Sequence, residues 1–296
     1  MNMTAGISVN TRSKDVSMDY ANASQNGKDV VISGVKHFDL AQTLDCGQAF
    51  RWAACENGYT GIAFGRKLTI IPSNKQLTFK NLTLDEFFAT WKGYFDLDRD
   101  YAALRERLAE AGGNGMKQAL EFSPGLRVMR QDMWETLISF ILSQNSNIPR
   151  IKKMIEALCH HFGNPVGAGG FAFPLPQDIA RLTVDDLAPI RCGYRAAYII
   201  DAARRTVNGE PNIAALTHLP SDEIKRALLQ IHGVGPKVAE CVLLFGYGRI
   251  ERFPIDVWIK RVMENLYPTG FPQEIQDLSG IAQQFLFHHA RLAGKA

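Results

Sequence analysis

The sequence predicts an α+β fold in which a small antiparallel sheet comes first and a mostly helical body follows. Two observations carry this. Between Val30 and about Lys80 the chain is a series of short apolar runs with alternating character, broken by turn residues. Beyond about residue 120, apolar residues recur at spacings of three and four. The 296 residues, 46% of them hydrophobic, suffice for one large or two modest domains with a real core.

Taken in order, residues 1–28 are rich in Ser, Asn and Thr and are expected to form a disordered tail. They lack the apolar centre of a secretory signal, and Asp15 and Asp19 beside the single Arg12 argue against a mitochondrial presequence. Residues 29–120 form the predicted front domain, with strands at 30–33, 49–52, 59–62, 68–71 and 76–79. Glu56-Asn57-Gly58 supplies a hairpin turn. Helices follow at 84–91 and 101–111, the second ended by the glycines of 112–115. Residues 121–296 form the predicted helical domain, with helices at 134–142, 148–162, 194–207, 222–231, 236–245, 256–266 and 277–292. No repeat of fixed period is present.

Composition sets limits. A formal charge of +3, from 33 basic and 30 acidic residues, neither requires nor excludes a nucleic-acid partner. The five cysteines are scattered, without the short paired spacings of a zinc site or a disulfide framework, so they read as reduced thiols. No run of about 18 apolar residues is available to span a bilayer. The expected location is therefore intracellular: cytoplasm and nucleoid, or nucleus in a eukaryote.

Ile231-His232-Gly233-Val234-Gly235-Pro236-Lys237 lies between two amphipathic helices and reads as a tight turn. Pro236 occupies the first helical position, where its missing N–H costs nothing. The turn would present free N–H groups at a helix start to a phosphate, so Gly233, Val234 and Gly235 are candidate DNA-backbone contacts. A lone Gly-x-Gly is also an ordinary helical corner. Lys237 raises the stakes, since a cation in the first turn opposes the helix dipole. A partly desolvated lysine there can act as an amine nucleophile on a sugar carbon. Cys241, four residues on, shares its face. Nineteen residues after Lys237, Asp256 precedes another amphipathic helix, where capping alone would explain it.

Together, this hairpin and Phe253-Pro254-Ile255-Asp256-Val257 resemble the signature of the helix-hairpin-helix DNA glycosylases. Lysine at 237 is similar to the bifunctional members, which cut the strand after removing the base. No cysteine follows Cys241, so the resemblance does not extend to the iron–sulfur branch. The resemblance is to 8-oxoguanine DNA glycosylases, over most of the chain from about Val30 onward. It implies Lys237 as nucleophile and Asp256 as the carboxylate that stabilises positive charge on the sugar. The expected partner is double-stranded DNA containing oxidised guanine, met by a monomer without organic cofactor or catalytic metal. Family hairpins can hold a structural cation through backbone carbonyls.

Further roles follow from the same resemblance. Cys46-Gly47-Gln48-Ala49-Phe50-Arg51-Trp52 resembles a segment whose glycine carbonyl accepts the N7 hydrogen that 8-oxoguanine has and guanine lacks, which makes Gly47 the lesion discriminator. Gln283 and Phe287, at i and i+4 of the last helix, would read the base edge and stack on its plane, with Cys241 on the other side. Chemistry at a glycosidic bond needs such a slot, because the base must leave the stack. Asn145, Asn147 and Arg150 match an Asn-rich turn that enters the vacated space, and Tyr194 and Arg195 match a wedge and an opposite-base contact. Taken singly, each has an ordinary structural alternative: a turn glycine, a core phenylalanine, a solvated arginine.

Three positions depart from the pattern. Trp258 stands for a histidine, Ala290 for an acid, and Arg291-Leu292 reverses a Leu-Arg order, which bears on a phosphate contact and one cytosine contact. Two other readings stay open: a glycosylase of the same superfamily for another damaged base, and a non-catalytic protein using the hairpin only to grip DNA.

Overall fold

In a computed structural model the described residues are 18–167 and 169–293. Most of the expected tail, including Arg12 and Asp15, lies outside them. Six antiparallel strands form one sheet in the order β1-β2-β6-β5-β4-β3: β1 Asn22–Asn26, β2 Asp29–Ser33, β3 Trp52–Cys55, β4 Gly58–Ala63, β5 Arg66–Ser73 and β6 Gln76–Phe79. Register follows alternation. Val30 pairs with Phe79 and Phe79 with Ile70, so the apolar residues of three strands share one face. That face packs on Trp52, Phe87, Trp91, Tyr94 and Phe95 to make a compact aromatic core.

Three expectations for the front part need correction. The tail does not extend to residue 28, because Asn22–Asn26 pairs with Asp29–Ser33 as an edge hairpin. Asp19 anchors it, accepting from buried Arg127 at 2.7 Å with both side chains almost fully enclosed. A buried ion pair with further hydrogen bonds is a long-range tie that local composition does not announce. Second, residues 49–51 are not a strand. Ala49 packs into the sheet core and Phe50 into the helical core, so this stretch is a bridge between two cores rather than a member of one ladder. Third, the glycines after 111 do end α1 (Tyr101–Ala111), with Gly112 as its C-cap, but a helix missing from the expected order, α2 (Gly113–Phe122), starts at once. Both helices contribute to the helical core, which therefore begins well before residue 120. Residues 84–94 also differ in detail, forming a capped turn at Leu84–Glu86 that widens into a π-turn over Phe87–Trp91.

The helical body continues with α3 (Met133–Ser143), α4 (Ile148–Phe162), α5 (Arg195–Asn208), α6 (Ser221–Leu228), α7 (Pro236–Phe245), α8 (Val257–Leu266) and α9 (Ser279–Ala293). α3 and α7 are its centre and are apolar almost all round, as a helix enclosed by others must be. No helix among the described residues is long and apolar enough to cross a membrane. The seam between the two cores is occupied by residues 45–51, which puts Gly47 against the helical body.

Candidate active site

The hairpin between α6 and α7 is fixed by its glycines. Gly233 has φ +83°, and a Cβ there would fall 2.2 Å from the Tyr198 ring. Only glycine combines that backbone with that approach. Val234 is buried and anchors the turn, Gly235 caps α7, and Pro236 begins it. Gln144 Nε2 donates to the Gly233 carbonyl at 3.0 Å, and the Val234 N–H donates to that of Ile231 at 3.0 Å. Each carbonyl keeps a second lone pair that suits a cation. Among the described residues no group of three or more His, Cys, Asp or Glu side chains could hold a metal ion.

Lys237 leaves the first turn of α7 with its Nζ 5.0 Å from the centre of the Phe140 ring, which itself stacks on Phe245. One turn on, burial pushes the Cys241 thiol up, while the charge and hydrogen bond of Lys237 pull it down. The half-buried Lys237 side chain thus places its terminal nitrogen between an aromatic face and a sulfur. Asp256 caps α8: its Oδ1 accepts from Trp258 N at 3.0 Å and Ile259 N at 2.9 Å. Both bonds use the same oxygen. Its negative charge is felt at Cys241, so the two helix starts share one electrostatic environment.

Gly47 enters from the seam with φ +93°. A Cβ there would lie 2.9 Å from Ile148 Cδ1 and 3.5 Å from Phe287 Cε1. The turn is held by Gln48, whose buried amide donates to the Arg127 carbonyl at 2.7 Å and accepts from Met129 N at 2.9 Å. On α9, Gln283 is 5% exposed and its Oε1 is buried without a hydrogen-bond partner, while Phe287 is partly exposed. A buried amide oxygen lacking a donor is costly in a finished core and suits a site built for a ligand. Gly47, Lys237, Cys241, Asp256, Gln283 and Phe287 all line a single small cleft, together with Phe140, Phe245, Pro254 and Gln284. Pro254 belongs to the signature segment, whereas nothing in the sequence singles out Phe140, Phe245 and Gln284 as site residues. Phe140 and Phe245 look like core positions of apolar helices, and Gln284 is distinguished only by its neighbour Gln283.

The Asn-rich turn is close by, since Gln144 reaches the hairpin. Asn145 has φ +46° and donates to the Tyr194 hydroxyl at 3.2 Å, Asn147 caps α4, and Arg150 is exposed. Tyr194 is 52% exposed. Arg195 departs from expectation. It is 3% exposed, and its guanidinium donates to the carbonyls of Gln144, Cys192 and Asn145 beneath the Tyr194 ring. With those donors committed, it braces the turn instead of facing an opposite base. Trp258 fills its position with a half-buried indole beneath Arg261.

A family model described as the 8-oxoguanine DNA glycosylase N-terminal domain matches residues 30–137, and one for the HhH-GPD superfamily base excision DNA repair proteins matches 138–278. The N-glycosylase/DNA lyase of Saccharomyces cerevisiae is 34% identical over 258 residues, covering 77% of this chain and 68% of the yeast protein. The chain belongs to the 8-oxoguanine DNA glycosylase family of the HhH-GPD superfamily. It is a DNA N-glycosylase with AP lyase activity, an enzyme of base excision repair. Among solved structures, MBOgg1 in complex with a low-affinity DNA ligand superposes with a TM-score of 0.88 at 44% identity, over 94% of this chain and all of that one. The Clostridium acetobutylicum 8-oxoguanine glycosylase/lyase, in complex with double-stranded DNA containing cytosine opposite 8-oxoG, gives 0.87 at 35% identity, over 94% and 100%.

Proposed function

We propose that this glycosylase excises 8-oxoguanine from duplex DNA, acting as a monomer on a base flipped into the cleft beside Lys237. The observation that carries the reading is the convergence in one cleft of an amine, a carboxylate, an aromatic ring, an unpartnered amide oxygen and a constrained glycine, from four separate stretches of chain. Lys237, as free amine, attacks the sugar C1′ while the glycosidic bond breaks and its electron pair leaves with the base. Asp256 opposes the positive charge that develops on the sugar. The aminal so formed opens as the C1′–O4′ bond breaks and a proton passes from the nitrogen to O4′; the imine that results acidifies C2′, whose proton is lost as the 3′ phosphate departs by β-elimination.

Phe287 and Cys241 close on the two faces of the base, Gln283 reads its edge, and the Gly47 carbonyl accepts the N7 hydrogen of the lesion. The hairpin amides and the Asn145–Arg150 turn grip the duplex, and the hairpin carbonyls hold a structural cation whose loss to a chelator would weaken DNA binding. Borohydride trapping with duplexes carrying 8-oxoguanine opposite each of the four bases tests this. A covalent adduct is expected from the native chain and none from Lys237→Gln. An adduct of native yield from that variant would overturn the nucleophile, and equal excision of undamaged guanine would overturn the Gly47 reading.

A further inference from the structure

Arg291, one of the positions that departs from the family pattern, has no part in the chemistry above. It lies one turn beyond Phe287 on α9. Its Nη2 donates to the Asp45 carbonyl at 2.9 Å, two residues before Gly47, and its guanidinium carbon is 5.7 Å from the centre of the Phe287 ring. Its Nε is buried without a hydrogen-bond partner, so the side chain has given up solvent to take this place. Gln284 approaches the same loop, with Nε2 3.5 Å from the Cys46 carbonyl. One planar cation thus touches both walls of the cleft: the loop that carries Gly47 and the ring that stacks opposite it.

We infer that Arg291 is a positioning residue that sets the width of the base slot by clamping the Gly47 loop to the Phe287 helix. The inference rests on the reading of Gly47 and Phe287 as that slot. A charge-assisted hydrogen bond fixes the loop, and a guanidinium laid against the ring restricts its rotation. Telling a lesion from guanine by one N–H demands placement to a fraction of an ångström, which a loop left to itself does not supply. Lysine could reach the Asp45 carbonyl but would bring a compact point charge, not a guanidinium, to the ring.

The test uses the full chain in single-turnover reactions on three duplexes, carrying 8-oxoguanine, undamaged guanine or a preformed abasic site. Arg291→Met is expected to lower the ratio of lesion to guanine excision by roughly tenfold or more. Cleavage at the abasic site, which has no base to seat, should change less than about twofold, and Arg291→Lys should fall between native and Met. Combined with Phe287→Ala, Arg291→Met should add little to the loss from Phe287→Ala alone, because the clamp acts through that ring. A native discrimination ratio in Arg291→Met overturns the inference. So does an equal loss of base excision and abasic cleavage in both the Met and Lys variants. If Phe287→Ala impairs base excision while Arg291→Met does not, the clamp fails and the slot stands; if neither does, the slot reading itself fails.

Discussion

Gly47 and Phe287 meet from opposite ends of the chain: a Cβ on Gly47 would lie 3.5 Å from the ring edge of Phe287, with Ile148 2.9 Å away. At φ +93° any side chain is strained before these contacts are counted. Gly47→Ala therefore shifts the carbonyl proposed to face the base and presses on the ring proposed to stack on it. Excision of 8-oxoguanine should fall by about a hundredfold, equivalent to about 3 kcal/mol of transition-state binding. Cleavage of a preformed abasic site should fall far less. Parallel single-turnover assays separate the two.

Asp256 caps α8 and, in the proposed mechanism, opposes charge on the sugar, and one substitution can separate the two. Asparagine caps a helix nearly as well as aspartate, so Asp256→Asn should retain the bonds to Trp258 N and Ile259 N and cost under about 1 kcal/mol in urea unfolding. It removes the negative charge opposite the developing cation, for which a loss of roughly 10²–10³ in rate is expected. Asp256→Ala should lose the same rate and also about 1 kcal/mol of stability. If Asp256→Asn kept native rates, capping would be the residue's whole function.

Arg150 and Arg195 should behave oppositely. Arg195 is buried with its donors on three carbonyls, so Arg195→Ala strands those acceptors and should destabilise the chain by about 2–3 kcal/mol, with weaker DNA binding as a by-product. Exposed Arg150 can be replaced by Ala with a stability change within about 0.5 kcal/mol. That variant should instead flatten the preference among bases opposite the lesion. Thermal melts and an excision panel against the four opposite bases check both.

What the sequence disclosed, and what it concealed, follows from the range of the forces involved. The turn at Gly233, the cap at Asp256 and the helices 101–111, 148–162 and 236–245 depend on neighbours within a few residues, and they were legible at the correct positions. The path of residues 45–51, the anchoring of Asp19 by Arg127 and the burial of Arg195 depend on partners tens to hundreds of residues away. No local pattern encodes those. The cleft shows both cases: Gln283 and Phe287 were legible as a pair on one helix face, whereas the aromatic bed under Lys237, formed by Phe140 and Phe245, required the packing of α3 against α7.

Two buried groups should oppose each other in the pH dependence of stability. Burial raises the Glu135 carboxyl from 4.5 to about 7, against the pull of Arg51 at 3.5 Å. Between those values the folded state holds the proton that the unfolded chain has released, so Glu135 lowers stability as pH rises through the window. Burial lowers His288 from 6.5 to about 4, with Ser123 Oγ 2.7 Å from its Nδ1. There the unfolded chain binds the extra proton, so His288 lowers stability as pH falls from 6.5 towards 4. Over pH 4.5–6.5 the two slopes have opposite sign. Glu135→Gln removes one of them and should unmask the other: relative to the native chain, its unfolding free energy from urea titrations should drop more steeply on acidification, by on the order of 2 kcal/mol across the window. His288→Asn should do the reverse, gaining stability on acidification relative to the native chain. Parallel pH profiles for the native chain and Glu135→Gln would remove Glu135 from the account.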